Sequence, residues 1–105
     1  MPARDFQASI QDESGVKTSL KRVSLDGEVY LFGELGKALV TIPFEKVALA
    51  RFEDGADEDH RVAVVTTKSG EEVRLVLDAD RPFFGRTTYG NYRIEVADIS
   101  ELVFQ

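Results

Sequence analysis

The chain has 105 residues, of which 43% are hydrophobic and 30% charged, and it carries a net charge of −6 with no cysteine. This length predicts one globular domain over residues 1–105, and the missing thiols exclude a disulfide framework, a zinc knuckle and a cysteine nucleophile. The acidic balance repels phosphate backbones, so we expect no nucleic-acid partner.

No segment of the sequence is suited to crossing a membrane or to secretion. No apolar run approaches the ~18 residues that a membrane helix needs. Residues 1–5 lack the apolar stretch of a secretory signal. We therefore expect no membrane span, and a location that is either cytoplasmic or that of an exported domain after processing.

Short runs in which apolar and polar residues alternate predict β-strands along the whole chain. Glycine, aspartate and serine interrupt these runs, as is typical of turns. The predicted strands are 6–10, 20–25, 28–32, 39–44 and 47–52 in the first half, and 61–67, 73–77, 92–96 and 99–104 in the second. Residues 44–47 and 96–99 are each expected to form a single helical turn, and nothing longer is expected to be helical.

The second half of the sequence repeats the first. An ungapped alignment of residues 22–52 with residues 74–104 gives seven identical pairs, among them Gly33 with Gly85. Such repeats are typical of duplicated supersecondary units. We predict an all-β fold of about eight strands from two tandem four-strand repeats, 6–52 and 61–104, joined by the connector 53–60. Because one unit cannot bury its apolar face alone, the repeats should pack as a β-sandwich or small closed barrel with pseudo-two-fold symmetry.

The alternation also predicts the core, because residues on one side of a strand share one face of the sheet. The predicted core consists of the apolar members of these faces: Val23, Leu25, Val40, Ile42, Phe44, Phe52, Leu75, Leu77, Ile94, Val96 and Phe104.

The run Gly85-Arg-Thr-Thr-Tyr-Gly90 resembles a pattern in uncharacterised bacterial β-rich domains. In that pattern a Gly-x-Thr-x-aromatic-Gly segment leads into an apolar strand and an Asp-Ile turn, here Asp98 and Ile99. The resemblance implies a β-rich fold, and it brings no active-site residue with it.

The connector 53–60 is rich in carboxylates, and clustered oxygens suit calcium. Its candidate ligands are Asp54, Asp57 and Asp59, but their spacing does not match that of an EF-hand loop. A solvated acidic loop between the repeats is therefore the favoured interpretation. His60 is the only histidine of the chain, so it cannot form a zinc site with other histidines or cysteines.

The segment 81–93 reverses the acidic character of the chain, because it contains arginines and aromatic residues and no carboxylate. The repeat explains Phe84 and Tyr92 as core residues. Four further residues have no such structural role and are typical of protein interfaces. We predict that they form an exposed partner-binding surface: Arg81, Phe83, Arg86 and Tyr89.

Together these features indicate a non-enzymatic protein-interaction or adaptor module that needs no cofactor. The alternative is a β domain that binds a small ligand, a carbohydrate or calcium. No pair of carboxylates can be singled out for acid–base catalysis, so we expect no enzymatic activity. The sequence leaves the oligomeric state open.

Overall fold

The computed structural model describes residues 6–105, so the expectation about a secretory signal in residues 1–5 lies outside it. The all-β class is confirmed, and short helical turns occur where the sequence predicts them, as one-turn 3₁₀ helices at Phe44–Lys46 and Val96–Asp98. No helix within residues 6–105 has the length and apolar character needed to cross a bilayer. The strands are β1 (Ala8–Asp12), β2 (Lys17–Leu25), β3 (Tyr30–Leu35), β4 (Ala38–Pro43), β5 (Val47–Asp54), β6 (His60–Thr67), β7 (Glu72–Asp78), β8 (Pro82–Thr87), β9 (Gly90–Glu95) and β10 (Ile99–Phe104).

All ten strands form one antiparallel sheet that curls into a half-barrel. Across the sheet the strand order is β4-β3-β7-β6-β5-β10-β1-β2-β8-β9. The predicted sandwich or closed barrel is replaced by this single sheet, because pairing between β5 and β10 joins the two halves of the chain edge to edge. Strands β4 and β9 are the two ends of the sheet formed by the described residues.

The strand count exceeds the predicted eight because the Phe-Gly segments are themselves strands. The four-strand unit leaves these segments out: the predicted strand 28–32 ends before Gly33, and no strand is predicted around Gly85. The structure places Gly33 inside β3 and Gly85 inside β8. Both strands cross to the other half of the chain: β3 lies against β7, and β8 pairs with β2.

Glycine is required where β3 crosses β7. A Cβ added to Gly33 would lie 2.7 Å from the backbone oxygen of Val76, which is closer than real Cβ atoms approach any atom. At Gly85 in β8, an added Cβ would lie 3.1 Å from the Cβ of Leu20 in β2. The approach at Gly33 thus leaves no room for a Cβ atom, and the approach at Gly85 leaves room only if the side chain of Leu20 shifts slightly.

Strand β2 changes its pairing partner at a bulge. Its first residues, up to Leu20, pair with β1, and its residues from Lys21 onward pair with β8. The register with β8 shifts between Lys21 and Ser24, and Arg22 between them has a φ of 54°. A bulge of this kind increases the local twist of a strand.

One hydrophobic core lines the inside of the curled sheet. Nine of the eleven predicted core residues are buried, while Val40 and Ile94 are half-buried and pack against the others. Edge-to-face contacts join Phe6 to Phe44 and to Phe104, with ring centres 5.6 and 6.4 Å apart. Large residues that the prediction omitted are also fully buried, namely Ile10, Leu31, Val47, Val65, Phe83, Ile99 and Leu102.

Arg61 is the one buried charged residue among those described, and its hydrogen bonds explain its burial. Its guanidinium donates to the carbonyl oxygens of Glu53, Ala97 and Ile99, and it forms an ion pair with Glu13 at 2.9 Å. A buried arginine is tolerated when its donors are all engaged. Arg61 therefore fastens β6 to the 3₁₀ turn that precedes β10.

The positions of the adjacent Phe83 and Phe84 lead to a direct test of strand phase. Phe83 is fully buried and stacks edge-to-face on Phe52, with ring centres 6.2 Å apart, whereas Phe84 is 36% exposed. We expect Phe83→Ala to lower the free energy of unfolding by about 3–5 kcal/mol, the usual cost of emptying a buried aromatic site. Phe84→Ala should cost clearly less. Chemical denaturation of both variants is the measurement, and an equal or reversed order would contradict the phase of β8.

Candidate basic face

The outer surface of β2, β8 and β9 collects positive charge through strand pairing. Phe84 lies opposite Arg93, and Arg86 lies opposite Asn91. Directly paired residues of antiparallel strands project from the same side of a sheet. Since Phe84 and Arg86 are exposed while Phe83 and Gly85 are buried, this side is the outer one. Lys21 of β2 pairs with Arg86 and extends the same surface.

We call this surface the basic face and define it as Lys21, Arg22, Phe84, Arg86, Asn91 and Arg93. A groove of about 500 Å³ runs across it, and no carboxylate lines that groove. Arg93 lies 3.6 Å from Glu95, outside the groove, whereas Arg86 forms no ion pair with any residue in 6–105. The face thus presents four cationic side chains around one partly exposed aromatic ring.

The structure divides the four predicted interface residues among three environments. Arg86 lies on the basic face, and Tyr89 is 81% exposed in the turn between β8 and β9. The predicted exposure of Phe83 is wrong, because Phe83 points into the core and its neighbour Phe84 points outward. The sequence contains two adjacent phenylalanines, and the repeat alignment assigned the inward position to the second of them.

Arg81 is half-buried and has a structural role. Its guanidinium forms ion pairs with Asp26 at 3.1 Å and with Asp78 at 3.3 Å. The same group lies over the ring of Phe32, 4.4 Å from the ring centre, in a cation–π contact. These partners come from both halves of the chain, so Arg81 links the turn after β2 to the turn after β7.

The candidate metal ligands of the acidic connector are either exposed or hydrogen-bonded to nearby residues of the connector. Asp54 is exposed at the end of β5, and Asp57 accepts hydrogen bonds from the backbone N–H of Asp59 and from His60. Within residues 6–105 no three histidine, aspartate or glutamate side chains are grouped so that they could hold a metal ion. The connector and β7 instead frame a shallow acidic depression beside His60.

Comparison with known proteins places the chain in a family. A family model described as "Uncharacterised protein" matches residues 2–105. The chain belongs to this family. No curated protein and no solved structure matches it. The family match agrees with the resemblance seen in the sequence, and it assigns no activity.

The sequence-based prediction named only Arg86 of the basic face and missed its five other members: Lys21, Arg22, Phe84, Asn91 and Arg93. Phe84 and Arg86 are two residues apart, which is the spacing that puts side chains on one side of a strand. Arg93 reaches them only through the pairing of β9 with β8, and Arg22 only through the bulge in β2. The two-residue spacing of Phe84 and Arg86 was therefore the available signal. It could be used only if Phe83, and not Phe84, was recognised as the inward-facing residue.

His60 is tied to two carboxylates. Its Nδ1 lies 2.8 Å from Oδ1 of Asp57, and its Nε2 lies 3.7 Å from Oδ1 of Asp78. The hydrogen bond and charge of Asp57 raise the pKa of His60 above its ordinary value of 6.5. A raised pKa in the folded state contributes stability that is complete below pH 6.5 and is lost as pH rises through the folded pKa.

Because His60 is the only histidine, nuclear magnetic resonance can follow its titration without prior assignment of the histidine signals. We expect its pKa to lie above 6.5 in the wild type and to fall toward 6.5 in Asp57→Asn, which removes the main cause of the shift. Asp54→Asn is the matched control, since Asp54 does not contact His60. An unshifted wild-type pKa, or equal effects of the two substitutions, would contradict this geometry.

Proposed function

We propose that this protein is a non-enzymatic interaction module that binds an acidic segment of another protein on its basic face. The main observation behind this proposal is the groove around Phe84. Arg22, Arg86 and Arg93 line this groove, and no carboxylate does. Guanidinium groups and aromatic rings, which are residue types that bind, make up most of its lining, and no histidine, cysteine, serine or carboxylate lines it.

Electrostatics supports an acidic partner for this face. Lys21, Arg22, Arg86 and Arg93 bring four positive charges to one surface of a chain whose net charge is −6. A local charge opposite to the rest of the molecule orients an approaching partner, because only one surface attracts it. The same contrast disfavours long nucleic acids, whose phosphates would also meet the acidic remainder.

The chemistry of the groove supports a protein segment. Arginine and aromatic residues concentrate binding energy at protein interfaces, since they combine apolar area with directed hydrogen bonds. Arg86 is not held by an ion pair within residues 6–105, so its donors are available to a carboxylate. Phe84 supplies exposed apolar surface beside them.

A second candidate is a small anionic ligand or acidic carbohydrate in the same groove. Its volume of about 500 Å³ is within the range of small-molecule sites, and Phe84 and Asn91 offer stacking and a polar contact. The groove is open along the outer face of the sheet, which suits an extended chain better than an enclosed ligand.

We also infer that the chain is one domain built by tandem duplication, with residues 6–52 related to 61–104 by a pseudo-two-fold rotation. Exchanging β1–β5 with β6–β10 turns the strand order into the same order read from the opposite end, which supports this inference. Gly33 and Gly85 fall at matching crossings, β3 on β7 and β8 on β2.

A defined acidic peptide tests the proposed function. We expect a short peptide of glutamate and alanine to shift the amide resonances of the basic face, with binding that weakens as salt increases. Arg86→Ala combined with Arg93→Ala should weaken this binding by about tenfold or more while leaving the melting temperature nearly unchanged. Lys68→Ala, which removes an exposed cation outside the face, should leave the binding intact.

Competing ligands separate the alternatives in the same titration. A single-stranded oligonucleotide of equal charge, an acidic oligosaccharide and calcium chloride replace the peptide in turn. Binding of the peptide away from Phe84 and Arg86, or equal losses in the Lys68→Ala control, would overturn the proposal. Tighter binding of the oligosaccharide than of the peptide would favour the second candidate.

A further inference from the structure

The two end strands of the sheet expose their backbones in the same pattern. In antiparallel pairs, hydrogen-bonded and non-hydrogen-bonded positions alternate, and a two-residue turn closes on a hydrogen-bonded pair. The turn between β3 and β4 closes on Leu35 and Ala38. The amides and carbonyls of Leu39 and Thr41 therefore point away from β3. Pro43 is the next residue of this set. Because its backbone nitrogen points away from β3, its missing N–H removes no hydrogen bond between β3 and β4.

The side chains on these two ends differ in a way that affects association. By the same alternation, the outward positions of β9 are Asn91, Arg93 and Glu95, so charges protect that end. The corresponding positions of β4 are Leu39, Thr41 and Pro43, and no residue of β4 is charged. Proteins usually protect an exposed edge strand with charged side chains, because an unprotected edge pairs with another strand.

Exposed apolar surface accompanies the unprotected edge. Leu39 is 75% exposed and Leu35 is 47% exposed. Leu35 lines an apolar groove of about 590 Å³ together with Val40, Ile42 and Val73, whereas Leu39 projects from the opposite side of β4. In β9 the position corresponding to Val40 is occupied by the larger Tyr92, which packs against the core.

We propose that β4 of a second copy of this chain pairs with β4, giving a symmetric dimer with one continuous sheet. In the register centred on Val40, Leu39 pairs with Thr41 of the partner subunit, and Thr41 pairs with Leu39 of the partner subunit. Each pair exchanges two backbone hydrogen bonds, so the edge gains four. Val40 meets Val40 of the partner subunit on the two-fold axis at a non-hydrogen-bonded position, where side chains lie closest.

Charge favours a second copy as the occupant. The whole chain carries −6, so copies repel one another over most of their surface. Around the groove beside β4, however, Glu45 and Glu71 balance Lys46 and Lys68. The residues around this edge therefore add no local repulsion between two copies. The uncharged, self-complementary strand is also what a symmetric interface requires, since each residue set must fit its own copy.

This interface is independent of the basic face. The basic face lies on β2, β8 and β9, at the opposite end of the sheet from β4. Dimerisation through β4 therefore leaves Phe84 and Arg86 open to a partner. Failure of one proposal does not decide the other.

Disulfide trapping tests the dimer, because the chain has no cysteine of its own. At a non-hydrogen-bonded antiparallel position the paired Cα atoms are about 4.5 Å apart, within the range that a disulfide spans. We expect Val40→Cys to form a covalent dimer on mild oxidation at low protein concentration. Tyr92→Cys, at the corresponding position of β9, is the matched control and should form no covalent dimer, because its cysteine lies outside the proposed interface.

Mass measurement in solution completes the test. The wild type should sediment as a dimer, and Thr41→Arg, which copies the charge that β9 carries at Arg93, should sediment as a folded monomer. Asn91→Arg, which adds a charge to β9, should leave the dimer intact. Amide hydrogen exchange of wild-type Leu39 and Thr41 should slow with protein concentration, which tests the interface even if Thr41→Arg does not fold.

A monomeric wild type over the accessible concentration range would overturn the proposal. Equal cross-linking of Val40→Cys and Tyr92→Cys would overturn it as well, and so would a dimer that Asn91→Arg disrupts and Thr41→Arg does not.

Discussion

The close approach of β3 to β7 at Gly33 is the contact on which the rest of this fold depends. There the backbone of one strand lies against the backbone of another with no room for a Cβ atom. The contact brings the β3–β4 hairpin of the first half onto a strand of the second half. The crossing of β8 over β2 at Gly85 does the reverse. Each half thus completes the sheet of the other, and Leu31 and Phe83 become buried in the shared core.

The crossings also explain the polar contacts that hold the turns. The guanidinium of Arg81 reaches Asp26 only because β8 has crossed to β2, whereas its second partner, Asp78, is three residues before it in the chain. Phe32, on the outer side of β3, makes its cation–π contact with the guanidinium of Arg81. The crossing that buries Phe83 likewise turns Phe84 outward among arginines. Core packing and the candidate binding surface are therefore two sides of one strand.

Much of the fold could be predicted because strand alternation is a local property. Val23, Leu25, Leu75 and Leu77 were assigned to the core correctly, since each lies in a run where only one phase buries the apolar residues. The single sheet could not be predicted in this way, because the pairing of β5 with β10 depends on residues far apart in sequence.

The candidate site was predicted only in part, for a related reason. Phe83 and Phe84 are both apolar, so either phase of β8 puts one phenylalanine inside, and a shift of one residue exchanges the two faces. Arg86 was named correctly as exposed, whereas Arg81 has a partner, Asp26, that only the crossing brings near. Tertiary contacts of this kind leave no periodic signal in the sequence.

The free energy of unfolding of Gly33→Ala tests the crossing most directly, because the close contact at Gly33 determines whether the substitution stabilises or destabilises the protein. Where an alanine fits, replacing glycine stabilises a protein by about 0.4–1 kcal/mol through the unfolded state. At Gly33 the added Cβ would lie 2.7 Å from the backbone oxygen of Val76, so we predict a clear loss of stability. Unchanged or increased stability would show that β3 does not press against β7, and would contradict the crossing.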